Sequence, residues 1–416
     1  MSEDAHLSDA TWLKVGAVAR LLNVLDRDGE HARVVGGAVR NALLQLPVAE
    51  IDVATTARPD EVVRRVGAAG FKAVPTGIEH GTVTVVIDSH PFEVTTLRKD
   101  VETFGRKARV VFGRDWRADA ERRDFTINSL SVTADGKVHD YVGGLTDIAA
   151  RRVRFIGEPE RRIAEDYLRI LRFFRFHACF AEGAPDPAGL LACIKARSGL
   201  ETLSRERVRM EMLKLFVAPR AAPTLAVMAD SGLLGIVLGG VPSLQSFDNM
   251  TKIEAAIGAV PDAVRRLGAL AVTVTEDAQR LAQRLRLSNA EAERLSALDD
   301  WWRITPAADD RLGHALLYEL GPQSFTDRVL VAWARSQAGT ADLAWHNFAN
   351  LPQRWTAPDF PLQSADFTRR GVAAGPALGA AMRAAKQVWI AADFPQDAAA
   401  IEAIADGTVQ EMAASR

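Results

Sequence analysis

The run Arg33-Val34-Val35-Gly36-Gly37-Ala38-Val39-Arg40-Asn41, followed shortly by Glu50-Ile51-Asp52, constrains the fold more than any other part of the sequence. It reads as a short apolar strand, a double-glycine turn, a helix, and a strand bearing acids at i and i+2. Side chains alternate across a strand, so Glu50 and Asp52 are expected on one face. Two adjacent carboxylates repel unless a positive charge lies between them, and a pair of Mg²⁺ ions is the usual neutraliser. Gly36 and Gly37 leave backbone N–H groups uncovered at a helix N-terminus, where a phosphate can approach. Together these are the minimal parts for phosphoryl or nucleotidyl transfer. A β-turn-α unit with a solvated acidic strand is the bland alternative. Arg40, one turn into the helix, and the acid pair behind it weigh against that. Glu93, on the β-like run Phe92-Glu93-Val94-Thr95-Thr96-Leu97, is a third candidate acid, either a metal ligand or the base that takes a proton from an attacking hydroxyl. A surface glutamate is the alternative there.

With 416 residues and 48% hydrophobic content the chain can bury several cores, so two or more domains are expected. A net charge of −2 argues against a general basic coat for nucleic acid. A local one is present: arginines crowd residues 98–175 (among them Arg106, Arg109, Arg114, Arg117, Arg151 and Arg154) and suit a polyanion groove. Only Cys179 and Cys193 occur, with no secretory segment and no long apolar run, so the expectation is a soluble, reduced, cytoplasmic protein with no membrane span.

Ser8-Asp9 reads as an N-cap for a helix over 8–28, with Trp12, Val15, Val18, Leu22 and Leu25 at helical spacing. Pro59 starts a helix over 59–68, and β-like runs follow at 71–74, 82–87 and 92–97. Beyond Arg151 strand signals fade. Helices are expected at 160–180, 203–217, 222–238, 251–258, 262–271, 275–286, 289–300 and 309–319, then an alanine-rich helical end over 366–413. The expected architecture is an α/β head followed by a long all-α body.

Two further runs carry chemistry. In Arg122-Arg123-Asp124-Phe125-Thr126-Ile127-Asn128, read as one or two helical turns, the guanidiniums suit phosphate oxygens while Asp124 and Asn128 suit sugar hydroxyls. In Glu165-Asp166-Tyr167-Leu168-Arg169-Ile170-Leu171-Arg172-Phe173-Phe174-Arg175, the residues Asp166, Arg169, Arg172 and Arg175 recur every third position and share a helical stripe. An Asp accepts from an exocyclic amine and an Arg donates to a ring nitrogen, so the pair can read cytosine or adenine. Both runs also fit exposed, salt-bridged helix faces.

In this order the motifs resemble those of the class II (bacterial/eukaryotic-type) tRNA nucleotidyltransferases, the CCA-adding enzymes, a family shared with bacterial poly(A) polymerases. The resemblance is specific from about residue 12 to 217. It also draws on Asp140-Tyr141-Val142-Gly143-Gly144 and Ser204-Arg205-Glu206-Arg207, with a fainter match from Phe360-Pro361-Leu362 to Gly375-Pro376-Ala377-Leu378-Gly379. It implies a polymerase-β-like nucleotidyltransferase head over 1–148, a helical neck with the base-selecting helix over 149–220, and a helical body and tail for tRNA over 221–416. It implies that Glu50 and Asp52 hold Mg²⁺ for attack of the tRNA 3′-hydroxyl on CTP or ATP. Gly37, Arg40 and Arg123 would contact nucleotide phosphates, and Gly36, Arg122, Asp124 and Asn128 belong to the same nucleotide site. Asp166 and Arg169 would act as a protein template, with Arg172 and Arg175 continuing the stripe.

Two positions depart from the family pattern: Glu50 stands where Asp is usual, and so does Asn41. Within the family, Pro75-Thr76-Gly77-Ile78-Glu79-His80-Gly81-Thr82-Val83-Thr84 follows the CCA-adding pattern rather than the basic run of poly(A) polymerases. The loop from Arg98 to Arg117 has the full length that CC-only enzymes lack. The competing readings are a poly(A) polymerase, a catalytically weakened tRNA-binding relative with Glu50 as the lesion, and a transferase acting on a small acceptor. His139-Asp140 is read as a strand end rather than as part of a metal phosphohydrolase.

Overall fold

A computed structural model describes residues 5–77, 81–104, 107–306 and 310–414. Ile78, Glu79, His80 and Arg106, named above, lie outside the described residues. The chain forms two compact units, Met1–Val237 and Leu238–Arg416. The expected head–neck boundary at 148 therefore falls inside the first unit, and the one at 220 falls short of the division.

The first unit begins with α1 (Thr11–Lys14) and α2 (Ala17–Leu25). A single helix over 8–28 does not form: Gly16 has φ 87° and interrupts it, and Ala10 rather than Ser8 or Asp9 takes the N-cap position. In α2, Val18, Leu21, Leu22 and Leu25 are buried at i, i+3, i+4 and i+7, a single apolar stripe. There follow β1 (Ala32–Val35), α3 (Gly37–Leu43), β2 (Asp52–Thr55) and α4 (Pro59–Ala68). Pro59 occupies the first turn of α4, where its missing N–H costs nothing, and Asp60 and Glu61 face the positive end of the helix dipole.

Then come β3 (Lys72–Gly77), β4 (Thr82–Ile87), β5 (His90–Thr96), β6 (Arg98–Phe104) and β7 (Lys107–Phe112). Next are α5 (Trp116–Glu121), β8 (Ser131–Val132), β9 (Val138–His139) and α6 (Gly144–Ala149). Seven strands form one sheet in the order β3-β4-β5-β2-β1-β8-β9, in which β2 and β5 run parallel and the other pairs antiparallel. Burial alternates along β4, with Val83, Val85 and Ile87 inside, as a strand with one covered face requires. The stretch read as a loop from Arg98 contains the antiparallel β6–β7 hairpin, a sheet of its own. Its strands were missed because charged residues interrupt the apolar alternation.

Helices complete this unit: α7 (Pro159–Glu165), α8 (Leu168–Phe180), α9 (Pro187–Lys195), α10 (Arg205–Phe216), α11 (Ala221–Asp230) and α12 (Leu233–Leu238), the last reaching the division. The single helix expected over 160–180 is two, parted at Asp166 (φ −158°). The one over 222–238 is parted at Gly232 (φ 71°).

The second unit is helical throughout its described residues: α13 (Leu244–Ala256), α14 (Ala263–Ala271), α15 (Thr275–Leu285), α16 (Asn289–Ser296), α17 (Arg311–Arg335), α18 (Leu343–Ala349), α19 (Leu351–Arg354), α20 (Ser364–Thr368), α21 (Pro376–Ala391) and α22 (Ala398–Ala414). The helix expected over 309–319 is extended by a further segment beyond a break at Gly321-Pro322. The helical end over 366–413 is three helices around Phe367, Ala381, Ala385 and Trp389. No described helix is long and apolar enough to cross a membrane.

Candidate active site

Asp52 opens β2, the middle strand of the head sheet. Glu93 of β5 is its Cα partner in the parallel pairing, and Val35 of β1 is its partner on the other side. Glu50 lies two residues ahead of the strand rather than inside it, because β2 begins at Asp52. Strand alternation therefore does not place the acid pair, yet both acids line the same cleft, together with Glu93 and Thr84. All three carboxylates are exposed. None makes a hydrogen bond or ion pair with a described residue. Partial desolvation within the cleft raises the Asp52 pKa, Glu93 and Glu50 push the same way, and Arg123 pulls against them. Three acids sharing a cleft without cations in contact form a site that gains from a bound cation.

On the β1 side, the chain turns at Gly36 (φ 69°) into α3. Gly36 N–H donates to the Leu130 carbonyl at 2.9 Å. A Cβ there would come within 3.3 Å of Arg123 Nη1 and 3.5 Å of the Asn128 carbonyl, so both conformation and space call for glycine. Gly37 opens the helix. Arg40, grouped with the phosphate contacts from sequence, is buried, and its guanidinium lies 3.8 Å from the ring centre of Phe180 and 5.4 Å from that of Phe176. It donates to the side-chain oxygens of Asn41 and Asn128. Burial pulls its pKa down to about 10, so it stays a cation at neutral pH. Asn41, at the position where the family usually has Asp, serves as its acceptor.

The double-arginine run is not helical as expected. Arg122 caps α5, Phe125 bridges to Phe155, and Thr126–Asn128 form one 3-10 turn. Phe125 is fully buried, its ring centre 4.9 Å from Phe155 and 5.2 Å from Phe176, and this anchor splays the polar residues on either side of it. Arg122 and Arg123 share one buried partner, Asp119, at 2.7 and 3.2 Å. Asp124 accepts from Arg172 Nε at 2.7 Å. The 3-10 turn rests on α6: Thr126 Oγ1 donates to the fully buried Asp147 at 2.6 Å, and a Cβ on Gly144 would stand 2.4 Å from the Thr126 carbonyl. Asp140 holds the start of α6 by accepting from the N–H groups of Val142, Gly143 and Leu145. His139 ends β9, in keeping with the strand-end reading.

In the helical part, Asp166 sits in the gap between α7 and α8, where its carboxylate accepts from Leu168 N–H at 3.1 Å. Its charge partner is Arg207 of α10, at 3.1 and 2.6 Å, not Arg169. Arg169 pairs with Glu165 and donates to the Arg162 carbonyl at 2.7 Å. Arg172 lies between Asp124 and Glu211, and Arg175 pairs with Glu211. Burial opposes the charge on Arg172, but Asp124, Glu211 and Asp166 outweigh it and raise its pKa. Asp124, Asp166, Arg169, Arg172 and Arg175 are thus each already engaged in an ion pair.

Sequence reasoning passed over Asp119 and Glu211. Asp119 was legible, since it precedes the two arginines by three and four positions on a helix. Glu211 was not legible. Its contact with Arg172 and Arg175 is tertiary and leaves no local signal.

Residues 32–154 match the family described as poly A polymerase head domain, and residues 185–247 match the probable RNA and SrmB-binding site of polymerase A. The human mitochondrial CCA tRNA nucleotidyltransferase 1 is 31% identical over 378 residues, covering 89% of this chain and 85% of that protein. The CCA-adding enzyme of Limosilactobacillus fermentum is 32% identical over 87% of this chain and 89% of its own length. Among solved structures, the Bacillus stearothermophilus CCA-adding enzyme in complex with CTP superposes with a TM-score of 0.71 at 26% identity, covering 90% of this chain and 92% of that one. The head sheet and its helical continuation agree with these likenesses, and the chain belongs to the CCA-adding tRNA nucleotidyltransferase family.

Proposed function

We propose that the cleft at Glu50, Asp52 and Glu93 is where the chain carries out CCA addition to the 3′ end of tRNA, with CTP and ATP as nucleotide donors and Mg²⁺ as the metal. The observation that carries this is the meeting of three unpaired carboxylates, from two adjoining strands and the segment before one of them, next to the Gly36 turn and Arg123.

The donor set suits Mg²⁺. Among the described residues no group of three or more His, Cys, Asp or Glu is arranged to hold a metal alone. Mg²⁺ characteristically takes one or two carboxylates and completes its shell with substrate phosphates and water. Glu50 and Asp52 would hold it, and when bound it supplies charge neutralisation at the phosphate under attack and lowers the pKa of the attacking hydroxyl. Glu93 stands beside Asp52 on the neighbouring strand and would accept the proton that the tRNA 3′-hydroxyl gives up, or share in holding the metal. Arg123, tethered by Asp119, and the backbone at Gly36-Gly37 would orient the triphosphate so that pyrophosphate leaves in line. Asp166 and Arg169 would judge the base, each pre-aimed by its own partner, Arg207 or Glu165.

Both cysteines are free, in keeping with a reducing compartment such as the cytoplasm. The test is incubation with Mg²⁺, tRNA lacking its 3′ end and each labelled nucleoside triphosphate. Two CMP and one AMP added in that order support the proposal. A long A tail points to a poly(A) polymerase, and tight tRNA binding without incorporation to a silent relative.

A further inference from the structure

The acid cleft has a second wall that the proposed reaction leaves unused. Besides the acids it is lined by Trp12, Val15 and Val18 from the first two helices, and by His90 and Phe92 of β5. Val15 is 72% exposed, although it is apolar and borders three carboxylates. Trp12 is half-buried, and its indole N–H has no hydrogen-bond partner among the described residues. The break between α1 and α2 keeps Trp12 and Val15 from being covered: Val15 is extended (φ −130°, ψ 147°) and Gly16 takes φ 87°, so the apolar stripe that buries α2 does not extend to them.

The sheet order assigns the two walls. Gly36 follows β1, and Arg123 lies against it, so the phosphate-binding parts stand on the β1 side of Asp52. The Trp12 wall shares its cleft with residues of β5 and β4, and neither Gly36 nor Arg123 lines that cleft. In-line displacement at the α-phosphorus puts the attacking hydroxyl and the leaving pyrophosphate on opposite sides of the reacting centre that the acids serve. With the triphosphate on one side, the other must admit the attacking hydroxyl. A ribonucleotide offers a flat base for an aromatic and aliphatic surface and a ribose hydroxyl for the carboxylates, which matches this wall.

We propose that Trp12 and Val15 form the acceptor subsite, on which the terminal base of the tRNA packs while its 3′-hydroxyl meets Glu50, Asp52 and Glu93. This deepens the reaction proposed above and rests on it.

The experiment is single-turnover CMP addition by the full-length chain to two acceptors, tRNA ending at its unextended terminal nucleotide and the same tRNA with that nucleotide abasic. The wild-type protein is expected to lose about tenfold in rate on the abasic end, the scale of one base–aromatic stack. Trp12→Ala loses about as much on the intact end and nothing further on the abasic one. Trp12→Phe restores most of the rate, and KM for CTP stays unchanged. Val15→Asp, at an exposed position that folding does not depend on, shows the same pattern. Rates for Trp12→Ala and Val15→Asp within about twofold of wild type on the intact end overturn the acceptor subsite, as do equal losses on both ends. Failure of the wild-type chain to add any CMP overturns the underlying reaction and the subsite with it, whereas an active wild type with indifferent variants overturns the subsite alone.

Discussion

Arg207 donates to the Asp166 carboxylate from both terminal nitrogens, at 3.1 and 2.6 Å, across the gap between α10 and the junction of α7 and α8. A forked pair of this kind fixes the plane of the carboxylate as well as its position. Asp166→Ala is expected to reduce the preference for CTP and ATP over UTP and GTP by about tenfold or more, the scale of one lost base contact. Arg207→Lys keeps the charge but loses the fork, and should relax selectivity by a smaller factor. Competition assays with mixed triphosphates read both. Unchanged selectivity in Asp166→Ala removes that residue from base recognition.

Asp52→Ala should abolish nucleotide incorporation while leaving tRNA binding intact, since the side chain makes no contact that supports the fold among the described residues. Residual turnover within about tenfold of wild type contradicts a metal-holding role. Glu50→Asp brings in the residue usual in the family and is expected to retain or increase the rate. A loss of more than about tenfold would mean that the longer arm is needed where it stands, ahead of the strand.

Gly144→Ala tests how the double-arginine turn is supported. The added methyl would fall 2.4 Å from the Thr126 carbonyl, in backbone that cannot yield cheaply. Overpacking of this kind costs about 2–3 kcal/mol. The urea midpoint should fall accordingly. Incorporation should fall more than stability alone explains, because the displaced turn carries Asn128 and abuts Arg123. Full activity at the lowered midpoint would separate the turn from the site.

Stability should weaken in mild acid. Burial, with Arg220 nearby, pulls the His177 pKa down to about 4, and burial with Arg33 and Lys137 does the same to His139. Each native ring declines a proton that the unfolded chain accepts below about 6.5, so the stability is full above that value and drains away toward about 4. For His177, which is 3% exposed, the loss between about pH 7.5 and 5 is about 2 kcal/mol. His177→Phe should flatten the pH dependence of the urea midpoint by that amount. An identical slope in the variant assigns the pH dependence elsewhere.

The head was readable where chemistry is local. Pro59 fixed the start of α4, and β4 announced itself through Val83, Val85 and Ile87. The double glycine marked the sharp turn between β1 and α3 because little else fits beside Arg123. Less was visible where tertiary contact overrides spacing. Asp166 and Arg169 share a sequence periodicity that suggested one continuous stripe, yet Arg207 and the Leu168 N–H draw Asp166 out of the helix. The run from Arg122 to Asn128 was read as one or two helical turns, and the burial of Phe125 against Phe155 and Phe176 instead unwinds it. The β6–β7 hairpin escaped notice because charged residues such as Lys99, Glu102 and Arg109 interrupt the apolar alternation of its strands.

The stack of Arg40 on Phe180 gives the proposed nucleotide site a built-in ruler. One end of the ruler is the double-glycine turn from which the Arg40 helix springs, and the other is the helix that starts just after Asp166. Under the proposed reaction, a nucleotide touching both would be gauged for the span from its phosphates to its base by a single gauge block. Loosening that stack should blur the fit of long and short bases alike, even though Arg40 itself does not line the acid cleft.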